Sequence, residues 1–222
     1  MTPDIFLTEL AQVRLDAVFN PYSDQCPDHD LPGSHLCRRR NLETALAAAW
    51  AAQGGSVWVA RDLGYRGGRR TGLPLTDEVH LAQFSAAWGG LPLHKATASP
   101  IMAERTAAVV WEMLRRVSRP VFLWNLFPLH PHETGDPMSN RAHTAAERRV
   151  GEGFLVHLLE ALQPERIIAI GNDAAVALQR LGLAHTKVRH PSYGGQLAFC
   201  DSVASAYGLH KERLPATPPR LL

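Results

Sequence analysis

The chain is short of the residues that mark several large protein classes. It has only three cysteines, Cys26, Cys37 and Cys200. That dispersed, odd set builds no disulfide framework and points to a reducing, cytoplasmic setting. No apolar run approaches the ~20 residues that a membrane span requires, and the first residues carry no apolar leader, so a soluble protein with no membrane partner is expected. Net charge is scarce too: 23 basic against 21 acidic residues leave +2. This excludes the strong overall field of a highly basic protein and leaves any basic surface to local clusters, Arg38 to Arg40 and Arg66 to Arg70. There is no internal repeat and no low-complexity tract.

What remains is enough for one core. With 222 residues, 45% hydrophobic and 20% charged, the chain reads as a single globular domain over residues 1–210. A proline-rich tail over 211–222, with Pro215, Pro218 and Pro219, follows it. Thr2 and Pro3 open a helix with Ile5, Leu10, Val13 and Ala17 near helical spacing, ending by Asn20-Pro21. From there to Arg40 the polar, proline-bearing composition reads as a long loop. Asn41 caps the alanine-rich stretch Leu42 to Gln53, Gly54-Gly55 stops it, and Ser56 to Ala60 suits a buried strand. Arg61 to Asp77 is a long Gly- and Arg-rich loop, of a length that is usually functional or disordered.

Further on, Ser99-Pro100 caps a helix with Ala107, Val110, Trp111 and Leu114, and Val121 to Asn125 is the next strand. Thr144-x-x-Glu147 is a capping box opening a helix with Val150, Phe154, Leu158 and Leu162. The buried run Ile167 to Ile170, a helix between Asn172 and Gly182, the strand Thr186 to Val188 and a helix from Leu197 to Tyr207 complete the alternation. Strands separated by helices of that length need crossovers, so the expected fold is α/β: a three-layer α/β/α sandwich around a central four-stranded parallel sheet.

Open α/β sheets gather ligands at the carboxyl ends of their strands. Asp62, Asn125 and His190 each stand at such an end, where a carboxylate, an amide and an imidazole would converge on one pocket. Taken singly, each residue type also serves as a turn or strand cap. Two clusters invite a metal, Cys26 with His29, His35 and Cys37, and His130 with His132 and Glu133. Neither has the ligand spacing of a standard site, so no metal is expected.

Beyond these features, Trp124-Asn125-Leu126-Phe127-Pro128, Ser139-Asn140-Arg141, the capped helix, Pro164 to Gly171 and the turn His190-Pro191-Ser192 follow one another in an order and spacing that resemble the uracil-DNA glycosylase superfamily. These motifs span roughly half the chain. In the first half, Ala60 to Gly68 resembles that family's water-activating loop, with Leu63 where the family has proline and Gly64 where many members have a thymine-excluding tyrosine. The resemblance implies a monofunctional DNA-repair enzyme that flips deoxyuridine out of DNA and hydrolyses its N-glycosidic bond, leaving an abasic site.

Asp62 would then orient the water and offset charge on the sugar, with Asp77 or Glu78 as alternatives. His190 would donate to uracil O2. Asn125 would read the base edge, its oxygen accepting from N3–H and its NH2 donating to O4, a pattern that cytosine reverses. Tyr65 would stand in for the missing tyrosine, and Leu75 falls where a stacking aromatic is expected. Arg69, Arg70, Arg141, Arg189, Ser192 and the amides of Gly194 and Gly195 would hold phosphates. Tyr193, Gln196 or Leu197 would wedge the duplex. The expected partner is uracil-containing DNA, single- or double-stranded, bound by a monomer. No cofactor is implied: members with an iron–sulfur cluster use four cysteines. Two other classes remain open, a non-catalytic or covalent-capture protein on the same fold and a small-molecule hydrolase using Ser192, although no Gly-x-Ser-x-Gly elbow surrounds that serine.

Overall fold

Buried apolar strands joined by crossover helices leave a parallel sheet as the stable packing, and the computed structural model, which describes residues 2–209, has it. Its strands are β1 Val18–Phe19, β2 Ser56–Asp62, β3 Val121–Phe127, β4 His130–Pro131, β5 Arg166–Ile170 and β6 Thr186–Val188. Its α-helices are α1 Pro3–Gln12, α2 Ser34–Ala52, α3 Gly68–Thr71, α4 Leu81–Ala87, α5 Arg105–Leu114, α6 Ala145–Leu162, α7 Asn172–Arg180 and α8 Gln196–Tyr207. The central sheet runs β3-β2-β5-β6, every pair parallel, and helices flank it. β1 and β4 form a small antiparallel pair beside it, Phe19 opposite His130. Every residue of β3 is buried, as a strand covered on both faces requires. The core joins Trp58 and Trp124 of the sheet to Phe6, Leu42, Leu158 and Phe199 of the helices. Among the described residues no helix is long and apolar enough to cross a membrane. The proline-rich tail lies outside the described residues.

Several boundaries differ from the sequence expectation for identifiable reasons. α1 stops at Gln12 rather than near Asn20, because the Asn20 amide folds back and donates to the carbonyls of Leu10 (2.8 Å) and Val13 (3.1 Å) at the helix end. Its core face is Phe6, Leu7, Leu10 and Ala11, and Ile5 is exposed. α2 starts at Ser34, so Asn41 is no cap. It lies buried within the helix, donating to Thr71 and His94 carbonyls at 2.9 and 2.8 Å. The polar opening turns of α2 are helical because their polarity is used inward: Arg38 pairs with Asp30 at 3.0 Å, both side chains buried. β2 and β3 each run two residues further than expected, carrying Asp62 and Asn125 inside the ladder. α5 begins at Arg105, with Glu104 and not Ser99 at the capping position. The capping box of α6 is present: Glu147 N donates to Thr144 Oγ1 at 3.2 Å, and Thr144 N to the Glu147 carboxylate at 2.6 Å.

α6 reaches β3 by direct backbone contact at Gly151, where a Cβ would lie 2.0 Å from the Leu126 carbonyl oxygen and 3.0 Å from Phe127 Cα. Neither partner is a side chain that can swing away. Gly151→Ala is therefore expected to destabilise the fold by at least the ~1–3 kcal/mol of an overpacked core. Urea unfolding measures this; an unchanged midpoint would show that α6 does not sit this close to the sheet.

Candidate functional site

In the order β3-β2-β5-β6 the chain visits β3 before returning to the other side of β2, which makes the β2/β5 crevice a switch point where ligands bind. A cavity of about 450 Å³ opens at this carboxyl edge, between Ala60 to Gly64 on one side and Ile170 to Asp173 on the other. Asp62, Leu75, Glu104, Asn140 and His190 contribute to its walls.

Asp62 is held on every side. One carboxylate oxygen accepts from Arg61 Nε at 2.7 Å, the other meets His143 Nδ1, and its backbone carbonyl accepts from the Asn125 amide at 2.9 Å. Arg61 extends the ion pair to Asp173 at 3.3 Å. With its side chain only 7% exposed, this carboxylate is a fixed negative charge at the cavity wall. His143 was not anticipated from the sequence, since it lies in the run before the capping box and only folding brings it to Asp62.

The His190 turn determines which ring nitrogen carries the proton. Ser192 N donates to His190 Nδ1 at 3.2 Å, and Ser192 Oγ lies 2.7 Å from the same atom. A backbone amide can only donate, so Nδ1 accepts and Nε2 bears the hydrogen. Burial, reinforced by Arg61 and opposed by Asp173, lowers the pKa of His190 below its usual value. The group facing the cavity wall is a neutral imidazole donor. The turn itself depends on Gly195, where a Cβ would stand 2.1 Å from the His190 carbonyl oxygen. Tyr193 occupies left-handed backbone at φ +50° and is 98% exposed; Leu197 beside it is 70% exposed.

Other expected site residues are placed differently. Asn125 is buried and off the cavity wall; its NH2 is committed to Asp62, and its Oδ1 has no partner. One of its two N–H donors is thus spent on the Asp62 backbone. Tyr65 also lies off the wall: its hydroxyl accepts from Arg66 Nε at 2.7 Å, and its amide donates to Asn140 Oδ1 at 3.0 Å. Leu75 does line the cavity, at φ +53°, a conformation a leucine adopts only when its surroundings enforce it.

Arg69 and Arg70 are buried, which removes them from any phosphate contact. Arg69 lies over the Phe19 ring at 3.9 Å, and Arg70 pairs with Glu78 at 2.9 Å and with Thr97 and Ser99. Arg141 is likewise engaged, with a two-point contact to Glu147 at 2.8 and 2.7 Å. Arg189 remains exposed, close to Lys187, Gly194 and Gly195. Neither reserve carboxylate reaches the cavity: Asp77 caps the turn Glu78–His80, and Glu78 is spent on Arg70, Thr97 and the Met102 amide. His130 is buried and pushed down to about 3, chiefly by burial, so it is neutral; it holds the Ser139 carbonyl at 2.8 Å and the Asn140 side chain at 3.2 Å. Among the described residues no group of three or more His, Cys, Asp or Glu side chains is placed to hold a metal ion.

One residue of the wall had no signal in the sequence. Glu104 occupies the capping position of α5 without capping it, and its carboxyl lies against Gly64 and Gly67. A Cβ on Gly67 would stand 2.0 Å from Glu104 Oε2, so a residue with no side chain is what makes the seat.

No protein-family model matches the chain, and no curated protein does. Among solved structures it is similar to the crystal structure of wild-type SMUG2 from Pedobacter heparinus, of the uracil-DNA glycosylase superfamily. The TM-score is 0.63 over 93% of this chain and 96% of that one, at 13% identity. The two share a fold.

The burial of Arg70 predicts a structural phenotype. Arg70→Ala removes the closer cation of the buried Glu78 and leaves it only Lys95 at 3.9 Å, and should cost up to about 3–5 kcal/mol in unfolding free energy. At temperatures where the variant stays folded, the salt dependence of its affinity for a single-stranded oligonucleotide should be unchanged, because no phosphate contact is lost. A variant of normal stability with a shallower salt slope would return Arg70 to the nucleic-acid surface.

Proposed function

We propose that the protein is a monofunctional DNA-repair glycosylase that takes a deoxyuridine out of the stack and hydrolyses its N-glycosidic bond, releasing uracil and leaving an abasic site. The observation that carries this is the His190 turn, a neutral imidazole with its Nε2–H free, at the same cavity as the ion-paired carboxylate of Asp62. Cleavage leaves positive charge on the sugar and negative charge on the departing base. A fixed carboxylate suits the first and a preorganised donor the second. Because the uracil anion is a weak base, a hydrogen bond to O2 suffices and no full proton transfer from His190 is needed.

The base would lie against Leu75, which lines the cavity, while Asn125 behind the wall holds the Asp62 backbone in place. Tyr193, exposed on its strained turn, is the first choice for the wedge that fills the vacated stack, and Leu197 adjoins it. Lys187, Arg189 and the exposed Gly194 would form the phosphate-facing rim, the Gly195 amide being spent on the Ser192 carbonyl at 3.0 Å. A reading as a non-catalytic uracil-DNA binding protein is favoured by one observation, that both oxygens of Asp62 already have partners.

Release of uracil from a single-stranded oligonucleotide with one deoxyuridine, detected as alkali-labile strand scission, separates the two. Turnover is expected, and His190→Ala should slow the single-turnover step by on the order of a hundredfold, as loss of one oxyanion donor does elsewhere, with folding retained. Retention of uracil-DNA without scission would identify the binding protein, and a His190→Ala rate equal to wild type would reduce His190 to a turn residue.

A further inference from the structure

The cavity is lined by three carboxyl groups, Asp62, Glu104 and Asp173, and they differ in what is available to them: Asp173 pairs with Arg61 at 3.3 Å. Asp62 is engaged at both oxygens. The Glu104 carboxyl accepts no hydrogen bond from any described residue, while the residue's backbone is held at both ends, its amide donating to Asp77 Oδ2 at 2.6 Å and its carbonyl accepting from Ala108 N at 3.1 Å. The backbone fixes where it sits: the Glu104 N–H to Asp77 bond anchors it, and Gly64 and Gly67 leave the space its carboxyl fills. Loosely held carboxylates on a surface wander in solvent. This one sits in the cavity wall with no ion-pair partner among the described residues, Arg66 attracting it only from beyond contact.

We propose that Glu104 is a catalytic residue of this cavity, the base that takes the proton from the attacking water, while Asp62 serves as fixed charge. The proposal rests on the glycosylase reading above. In the step, the water oxygen bonds to C1′, one of its protons passes to a Glu104 carboxylate oxygen, and the C1′–N1 bond breaks with its electron pair leaving on the base. His190 Nε2–H holds the anion at O2. The proton on Glu104 then leaves to solvent or to the departed base, so no oxidant or co-reactant is needed.

The electrostatics agree with this division. Burial, with the adjacent charge of Asp77, raises Glu104 to about 7, against the attraction of Arg66. A base performs best when its pKa lies near the working pH. The groups facing Glu104 are Asp77, itself lowered by its bonds to His80 and the Glu104 amide although burial opposes it, and Arg66 from the loop after β2. Asp62, Asp173, Arg61, Arg141 and His190 share the cavity.

The test is a pH profile of single-turnover uracil release by the full chain between pH 5 and 9. Wild type should gain rate through an inflection near pH 7. Glu104→Gln should lose that inflection and about a hundredfold or more of the rate at pH 8, with Glu104→Asp restoring part of both. His190→Ala should keep the inflection, which assigns it to Glu104 and not to the imidazole. Affinity of Glu104→Gln for an oligonucleotide containing non-cleavable 2′-fluoro-deoxyuridine should stay within about twofold of wild type.

A readout without turnover accompanies these. Because the folded pKa lies above the ordinary 4.5, protonated Glu104 favours the fold below that value, and the contribution is lost as pH rises through about 7. The melting temperature of Glu104→Gln should therefore gain on wild type between pH 5 and pH 8. An active wild type with an active, still-inflected Glu104→Gln overturns the proposal and leaves the glycosylase intact, as does a Glu104→Gln enzyme that loses affinity or base preference but keeps its rate. A wild type silent at every pH overturns both.

Discussion

A long loop that is buried must answer for every charge it carries, and in this protein the segment from Arg61 to Asp77 is such a loop. From Gly67 to Glu78 it is buried throughout. Most of its polar groups are matched, Arg70 with Glu78, Asn41 with the Thr71 carbonyl, Tyr22 with the Gly72 carbonyl and Thr71 with Thr76, while the Arg69 guanidinium rests on the face of the Phe19 ring. An unmatched charge there would cost several kcal/mol. Those matches give the cavity a rigid floor, hold Leu75 in a conformation it would otherwise avoid, and keep Gly64 and Gly67 against the Glu104 carboxyl. Chemistry at this site depends on the loop's having no freedom.

The architecture was legible because parallel strands are buried on both faces and announce themselves as apolar runs. The capping box at Thr144 was legible because it is local, its partners three residues apart. What the sequence concealed was long-range. Arg69 and Arg70 read as a basic patch, yet guanidinium groups are exposed or buried according to partners such as Glu78, Thr97 and Phe19, which composition cannot pair. Asn41 read as a cap because the polar turn before it resembled a loop; it is helical because Arg38 and Ser34 turn inward to Asp30. Ser99-Pro100 read as a helix start, while the helix begins at Arg105.

The candidate site divides in the same way. His190 and its turn were visible as a strand followed by His-Pro-Ser, a contiguous signal, and the structure adds the tautomer. Asp62 was visible, but its engagement by His143 was not. Glu104 was invisible: at the end of a loop, with no motif around it, it matters only because two glycines distant in sequence leave room for it. The likeness to a solved structure at 13% identity teaches the same lesson, since a fold is kept by pattern and packing while its side chains turn over.

The two sides of the cavity also differ in when they can exist. The floor loop is buttressed by Phe19, Tyr22 and Arg38, all earlier in the chain, whereas His190 follows β6, an edge strand whose pairing in the central sheet is to β5 alone. On a ribosome, where synthesis proceeds from the N-terminus, the floor loop can therefore meet these buttresses well before the imidazole that faces the cavity is made. A nascent or prematurely terminated chain would hold an open half of the cavity. The complete cavity thus arrives at a single late moment of synthesis, with the docking of the last strand.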